Sequence, residues 1–103
     1  MGTTENSVAA RATVWRKKPV SVRMIRWTGN NLEAVQAFTS HFRLPYAEEL
    51  AEDPAMTAAV YDVLHRTWVH VYAGHWVVQG VQGENYPIDD DVLHATYDCL
   101  GFE

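Results

Sequence analysis

One cysteine, Cys99, stands in 103 residues. A single thiol closes no internal disulfide and cannot by itself supply a thiolate zinc site, which excludes a cross-linked miniature scaffold and a zinc ribbon. Long apolar runs are missing as well, none approaching the roughly 18 residues of a membrane span. The opening stretch MGTTENSVAARA lacks the charged head and apolar core of a secretory signal, so neither secretion nor membrane insertion is expected. Positive charge is scarce: eight Lys and Arg face thirteen Asp and Glu, a net charge of −5. The resulting pI of about 5.4 argues against a dedicated duplex-DNA binder, which needs an excess of cations for its phosphate contacts. No phosphate loop or dinucleotide glycine pattern occurs, because Gly80-Val81-Gln82-Gly83 is too short, and Ser7, Ser21 and Ser40 lack the context of a nucleophile elbow.

The chain does have apolar material, 48% hydrophobic and 12% aromatic, enough for one buried core and one domain. Its charge is polarised. Residues 1–27 hold six of the eight basic residues (Arg11, Arg16, Lys17, Lys18, Arg23, Arg26) against Glu5, a net +5, whereas residues 28–103 carry −10. A basic end on an acidic body can pair with its own carboxylates, dock on an acidic neighbour or meet nucleic acid.

Residues 1–12 are small and polar without periodicity and read as a flexible arm; 13–103 read as a single domain. From Pro19, apolar Val20, Val22 and Met24 alternate with Ser21 and Arg23 as in a half-buried strand. The phase slips at Ile25 and Trp27, which predicts a β-bulge near Met24-Ile25. Thr28-Gly29-Asn30-Asn31 is a turn, Asn30 and Glu33 have the spacing of a capping pair, and Leu32, Val35, Phe38 and Phe42 form the stripe of an amphipathic helix from about Asn31 to His41. Residues 45–57 hold four acids and two prolines, an acidic exposed loop with one short helical turn at Ala47–Leu50. Ala58–Leu64, Trp68–Tyr72 and His75–Val81 predict a three-stranded meander turning at Ala73-Gly74. Asn85–Ile88 predicts a further short strand, Asp89-Asp90-Asp91 a cap for a helical turn through His94, and Ala95–Leu100 a closing strand. The expected architecture is α+β: about six short strands in a strongly bent antiparallel sheet, a partly open barrel or roll, with one amphipathic helix packed on it.

Several separated segments then line up with a known pattern. Trp15-Arg16-Lys17-Lys18-Pro19-Val20 leads to Trp27-Thr28-Gly29; Gly74-His75-Trp76-Val77-Val78-Gln79-Gly80-Val81-Gln82-Gly83-Glu84-Asn85-Tyr86-Pro87 follows, and then His94-Ala95-Thr96-Tyr97. The chain resembles a widespread family of small bacteriophage and prophage proteins that begin with a "YRKKPV…W" strand and end with "GDWIIKGVKGEFYPCKPDIFEATYE". The resemblance spans most of 13–98. It departs at His75, where the family usually has Asp, at Ala73, often Pro, and at Ile88-Asp89-Asp90, often Cys-Lys-Pro. It implies a phage or prophage origin, with life in the host bacterial cytoplasm or in the virion.

Chemistry-bearing residues are plentiful but do not converge. His65, His70 and His75 recur at intervals of five, yet in a hairpin around Ala73-Gly74 the last two point to opposite faces, so no metal site is expected. Asp89-Asp90-Asp91 lacks calcium-loop spacing, and Cys99 reads as a core residue of the last strand. The richest feature is aromatic: Trp15, Trp27, Trp68 and Trp76 with Tyr61, Tyr72, Tyr86 and Tyr97, interleaved with Arg16, Arg23 and Arg26. Such residues build cores and protein interfaces, and can also stack a nucleotide or single strand. Arg16, Arg23, Arg26, Trp27, Trp68, Trp76 and Tyr86 are the candidate ligand- or partner-binding set. With no acid, base and nucleophile gathered in the sequence, the chain reads as a non-catalytic accessory protein without a cofactor. Its expected partner is a protein or a small nucleotide ligand, and uncovered sheet edges suggest a homodimer or higher homo-oligomer. A capsid or tail accessory subunit using the basic arm is the alternative.

Overall fold

A computed structural model describes residues 11–103. The elements in chain order are β1 (Arg23–Arg26), α1 (Leu32–Phe38), β2 (Phe42–Arg43), α2 (Ala47–Glu52), β3 (Ala58–Asp62), β4 (Thr67–Val71), β5 (Trp76–Gln79), β6 (Asn85–Ile88) and α3 (Asp90–Thr96). The fold is α+β: the described residues form six short antiparallel strands, arranged as two three-stranded sheets of order β1-β5-β6 and β2-β3-β4, and close no barrel. None of the described helices is long and apolar enough to cross a membrane.

The period of two decides which side chains meet. In β3 and β4, Ala58, Val60, Val69 and Val71 turn inward, and in the other sheet Ile25 pairs with Val77 on the inner face. These residues join Trp27, Val35 and Phe42 in one core, with Leu32 and Phe38 of α1 packed against it. Trp27 is 1% exposed and meets Phe42 edge to face at 5.1 Å between ring centroids. Its indole Nε1 donates to Thr57 Oγ1 at 2.9 Å, so the one polar atom of the ring is satisfied.

Several sequence expectations are corrected. The meander does not form, because β5 pairs with β1 and leaves β4 at its sheet's edge. The crossing occurs at Gly74, whose φ of +93° suits a residue without Cβ; Gly74 N donates to Trp27 O at 2.7 Å and Trp27 N to His75 O at 2.8 Å. No bulge is present: Arg23 to Arg26 face Gln79 to Trp76 without interruption. Val20 and Val22 lie before the strand, so the apparent phase slip never has to be absorbed. Met24 and Ile25 instead serve opposite faces of a sheet covered on both sides.

Helix α1 stops at Phe38, three residues early, as Thr39 turns extended (φ −148°, ψ 134°). Phe42 continues the helical stripe in sequence but reaches the core from β2, opposite Val60. Asn31, rather than Asn30, is the N-cap residue; its side chain makes no cap bond, accepting from Thr28 N and donating to Arg26 O to tie the turn to β1. At the other end Asp89 does cap α3, accepting from the amides of Asp91 and Val92. That helix runs to Thr96, and 97–100 is irregular, so the expected closing strand is absent and Cys99 is exposed rather than core. Of the arm expected over 1–12, residues 1–10 lie outside the described residues.

Candidate functional site

The outward face of β2-β3-β4 is built by the same alternation that fills the core. With Ala58, Val60, Val69 and Val71 inside, Ala59, Tyr61, Trp68 and His70 must face out, and Arg43 stands opposite Ala59. The small Ala59 side chain leaves room for Arg43 to lie across the sheet. Its guanidinium is stacked between two rings, 3.8 Å from the Tyr46 centroid and 4.2 Å from that of Trp68. Tyr61 meets Trp68 edge to face at 5.3 Å, and His41 extends the row at 5.8 Å from Tyr61.

Helix α2 holds this arrangement down. Arg43 Nη1 and Nη2 donate to the two carboxylate oxygens of Glu49 at 2.7 and 3.2 Å, and Tyr46 N donates to the first of them at 2.8 Å. The Arg43 hydrogen bonds, then the Tyr46 amide, lower the Glu49 carboxyl to about 2. One turn on, Asp53 accepts from the Tyr72 hydroxyl, and His70 Nδ1 lies 2.8 Å from the same oxygen. The Tyr72 bond first and His70 second hold the Asp53 carboxyl below its usual range, and the Tyr72 hydroxyl is raised in return. An ionised carboxylate only accepts, so His70 places its proton on Nδ1. The surface is ordered yet open: Trp68 is 37% and Tyr46 58% exposed.

A second polar knot lies on the outer side of the β1-β5-β6 sheet. Asp90 Oδ1, from the first turn of α3, accepts from Trp76 Nε1 at 2.8 Å, with His94 Nε2 at 3.3 Å and Arg26 Nη2 at 3.8 Å. Arg26 Nε donates to Gly74 O, and its guanidinium lies 5.9 Å from the Trp76 ring centroid. The Trp76 bond is the main reason that the Asp90 carboxyl is lowered, followed by the charge of Arg26.

The seven residues singled out in the sequence are thus distributed over the molecule. Arg26 and Trp76 meet at Asp90; Trp68 belongs to the other sheet; Trp27 is sealed in the core. Arg23 pairs with Glu103 at 2.6 Å, bonds Gln79 and lies over Phe38. Tyr86 is half-buried beside Tyr97, and Arg16 is exposed in the irregular segment before β1. His65, His70 and His75 turn to three different carboxylates, Asp62, Asp53 and Asp89. Among the described residues no group of three or more His, Cys, Asp or Glu is placed to hold a metal ion.

Sequence reasoning did not pick out Arg43, Tyr46, Glu49 or Asp53. The signal available was half of a capping pair, Glu49 three residues after Tyr46, whose carboxylate accepts from the Tyr46 amide just after Pro45. Comparison with family models, with curated proteins and with solved structures finds no match.

Proposed function

We propose that this chain is a small phage-encoded, non-catalytic accessory protein that binds a protein partner in the infected bacterial cell. The surface it uses is the outer face of β2-β3-β4 flanked by α2. The observation that carries this reading is the half-open row Tyr46–Arg43–Trp68–Tyr61. Trp, Tyr and Arg are the residue types that dominate binding energy at protein interfaces. Here they are ordered before any partner arrives, because the Glu49 carboxylate and two stacked rings fix Arg43, which reduces the entropy cost of association. The His70–Asp53–Tyr72 group suits scaffolding better than acid–base chemistry, since imidazole and phenol both converge on one carboxylate oxygen. Phage origin and a place in the host cytoplasm rest on the sequence resemblance over most of 13–98, the acidic stretch 45–57 excepted. A virion subunit is the second reading, favoured by the exposed basic segment Arg16-Lys17-Lys18.

The test is affinity capture from a bacterial lysate with the wild-type chain, Trp68→Ala and Trp76→Ala in parallel. The expected result is a partner retained by wild type and Trp76→Ala and lost by Trp68→Ala. Identical capture by wild type and Trp68→Ala would overturn the assignment of the surface. Saturable tryptophan quenching by a nucleotide, abolished in Trp68→Ala, would replace the protein partner by a small ligand.

A further inference from the structure

Two exposed features have complementary chemistry. The first is the segment before β1, where Val14 is fully exposed and Trp15 is 86% exposed, its indole Nε1 bonded only to the neighbouring Thr13 hydroxyl among the described residues. Arg16, Lys17 and Lys18 follow, all exposed, and make no ion pair among the described residues. A tryptophan next to three cations is an anchor with an electrostatic guide.

The second is the outward side of α2. Glu49 and Asp53 turn toward the sheet, where Arg43, His70 and Tyr72 engage them. That leaves Ala47, Glu48, Ala51 and Glu52 facing solvent, with Leu50, 40% exposed, on the shoulder. Glu48 and Glu52 sit one helical turn apart and repel each other. Glu52 also lies at the helix C-terminus, where the backbone dipole already disfavours an anion, and the last turn contains no basic residue. This ridge is apolar on one flank and lacks cations on the other.

We propose that residues 14–18 of one chain dock on the α2 ridge of a second copy, Trp15 against Ala47, Leu50 and Ala51, and Arg16 and Lys18 against Glu48 and Glu52. The spacing fits. Residues two apart in an extended segment repeat every ~6.6 Å, and residues four apart on a helix rise about 6 Å. Pro19 biases Lys18 toward the extended conformation this requires. The topology favours docking between chains over docking within one. Lys17, Lys18, Pro19 and Val20 line a groove with Ile88, Val92, Thr96 and Tyr97, so the segment departs from the α3 side of the β1-β5-β6 sheet. Helix α2 flanks the outer face of the other sheet, across the core. Residues 14–22 can extend about 30 Å, enough to reach a neighbour, and a two-fold arrangement lets both segments dock at once. The inference does not depend on the partner-binding reading, because the charged residues concerned leave Trp68 and Tyr61 unaltered.

Native mass spectrometry and sedimentation velocity of the full chain test it, with Arg16→Glu/Lys18→Glu and Glu48→Lys/Glu52→Lys made separately. The wild type is expected to dimerise, more weakly as salt rises. Each double variant should raise the dissociation constant about tenfold or more while keeping the wild-type circular dichroism spectrum. An equimolar mixture of the two variants should restore a heterodimer, since acidic segment then meets basic ridge and basic segment meets acidic ridge. A wild type that stays monomeric at low salt, a dimer indifferent to both charge reversals, or a mixture that does not reassociate would each overturn the proposal.

Discussion

Arg43 and Glu49 join a two-residue strand to a six-residue helix through a pair of hydrogen bonds, 2.7 and 3.2 Å. Neither element is long enough to be stable by itself. The bidentate pair, with Tyr46 stacked on its guanidinium, is what turns an acidic connection into a fixed flank of the Trp68 face.

The pH dependence of that link has a definite sign. Glu49 is lowered to about 2 in the folded chain, chiefly by the Arg43 hydrogen bonds, against about 4.3 in an unfolded one. Its contribution to stability is complete above the unfolded value and is lost as pH falls through the folded one. Denaturant unfolding of wild type and Glu49→Gln across pH 2–7 checks this. The wild-type advantage should be constant at neutral pH, shrink below about pH 4.3 and vanish near pH 2. A difference that stays flat over the range would mean that the charge on Glu49 does not stabilise the fold.

The core is most sensitive at Trp27, which is fully buried, stacked on Phe42 and bonded to Thr57. Trp27→Ala should cost about 3–5 kcal/mol, a large part of the stability of a domain this size. Thr57→Val keeps the shape but strands the indole N–H, and should cost about 1–3 kcal/mol. Thermal and urea unfolding separate the two: a Thr57→Val protein as stable as wild type would show that the indole finds another acceptor.

What the sequence made legible was local. The paired strands around His65-Arg66, the short strand at 85–88 and the Asp89 cap follow from turn chemistry and from periods within a few residues. What it concealed was long-range. Val77 is equally apolar opposite a β4 residue or opposite Ile25, and only the competition between sheets sends β5 to β1. Phe42 satisfies a helical period and a strand register alike, so its stripe overstated α1. The candidate face was half visible: Tyr61 and Trp68 stood out as aromatics and the helical turn at Ala47–Leu50 was anticipated, but Arg43 gains its role from residues three and six positions away folding back over it, which no local pattern announces.

The cap on α3 is a local test of the same helix that supplies Asp90 to Trp76. Asp89 accepts from two amides in the first turn, and Asp89→Ala should cost about 1 kcal/mol. Asp89→Ser should recover most of it by offering a replacement acceptor. Equal melting temperatures for Asp89→Ala and wild type would show that the Trp76–Asp90 bond alone holds the helix start.

Tyr86 provides the alkaline counterpart. Its hydroxyl is pushed up to about 12, first by burial and second by the Tyr97 hydroxyl. In an unfolded chain it titrates near 10. A raised folded value favours the protonated phenol, so the contribution to stability is present below about pH 10 and is lost as pH rises toward 12. Spectrophotometric titration of the folded protein should show tyrosine ionising late, and Tyr86→Phe should remove the latest step. Tyr97→Phe discriminates between the two causes. Because burial is the larger one, the late titration of Tyr86 should persist in that variant, moved only part of the way back. A return to about 10 would mean that the hydrogen bond, rather than the packing of the β1-β5-β6 sheet under α3, keeps this phenol neutral.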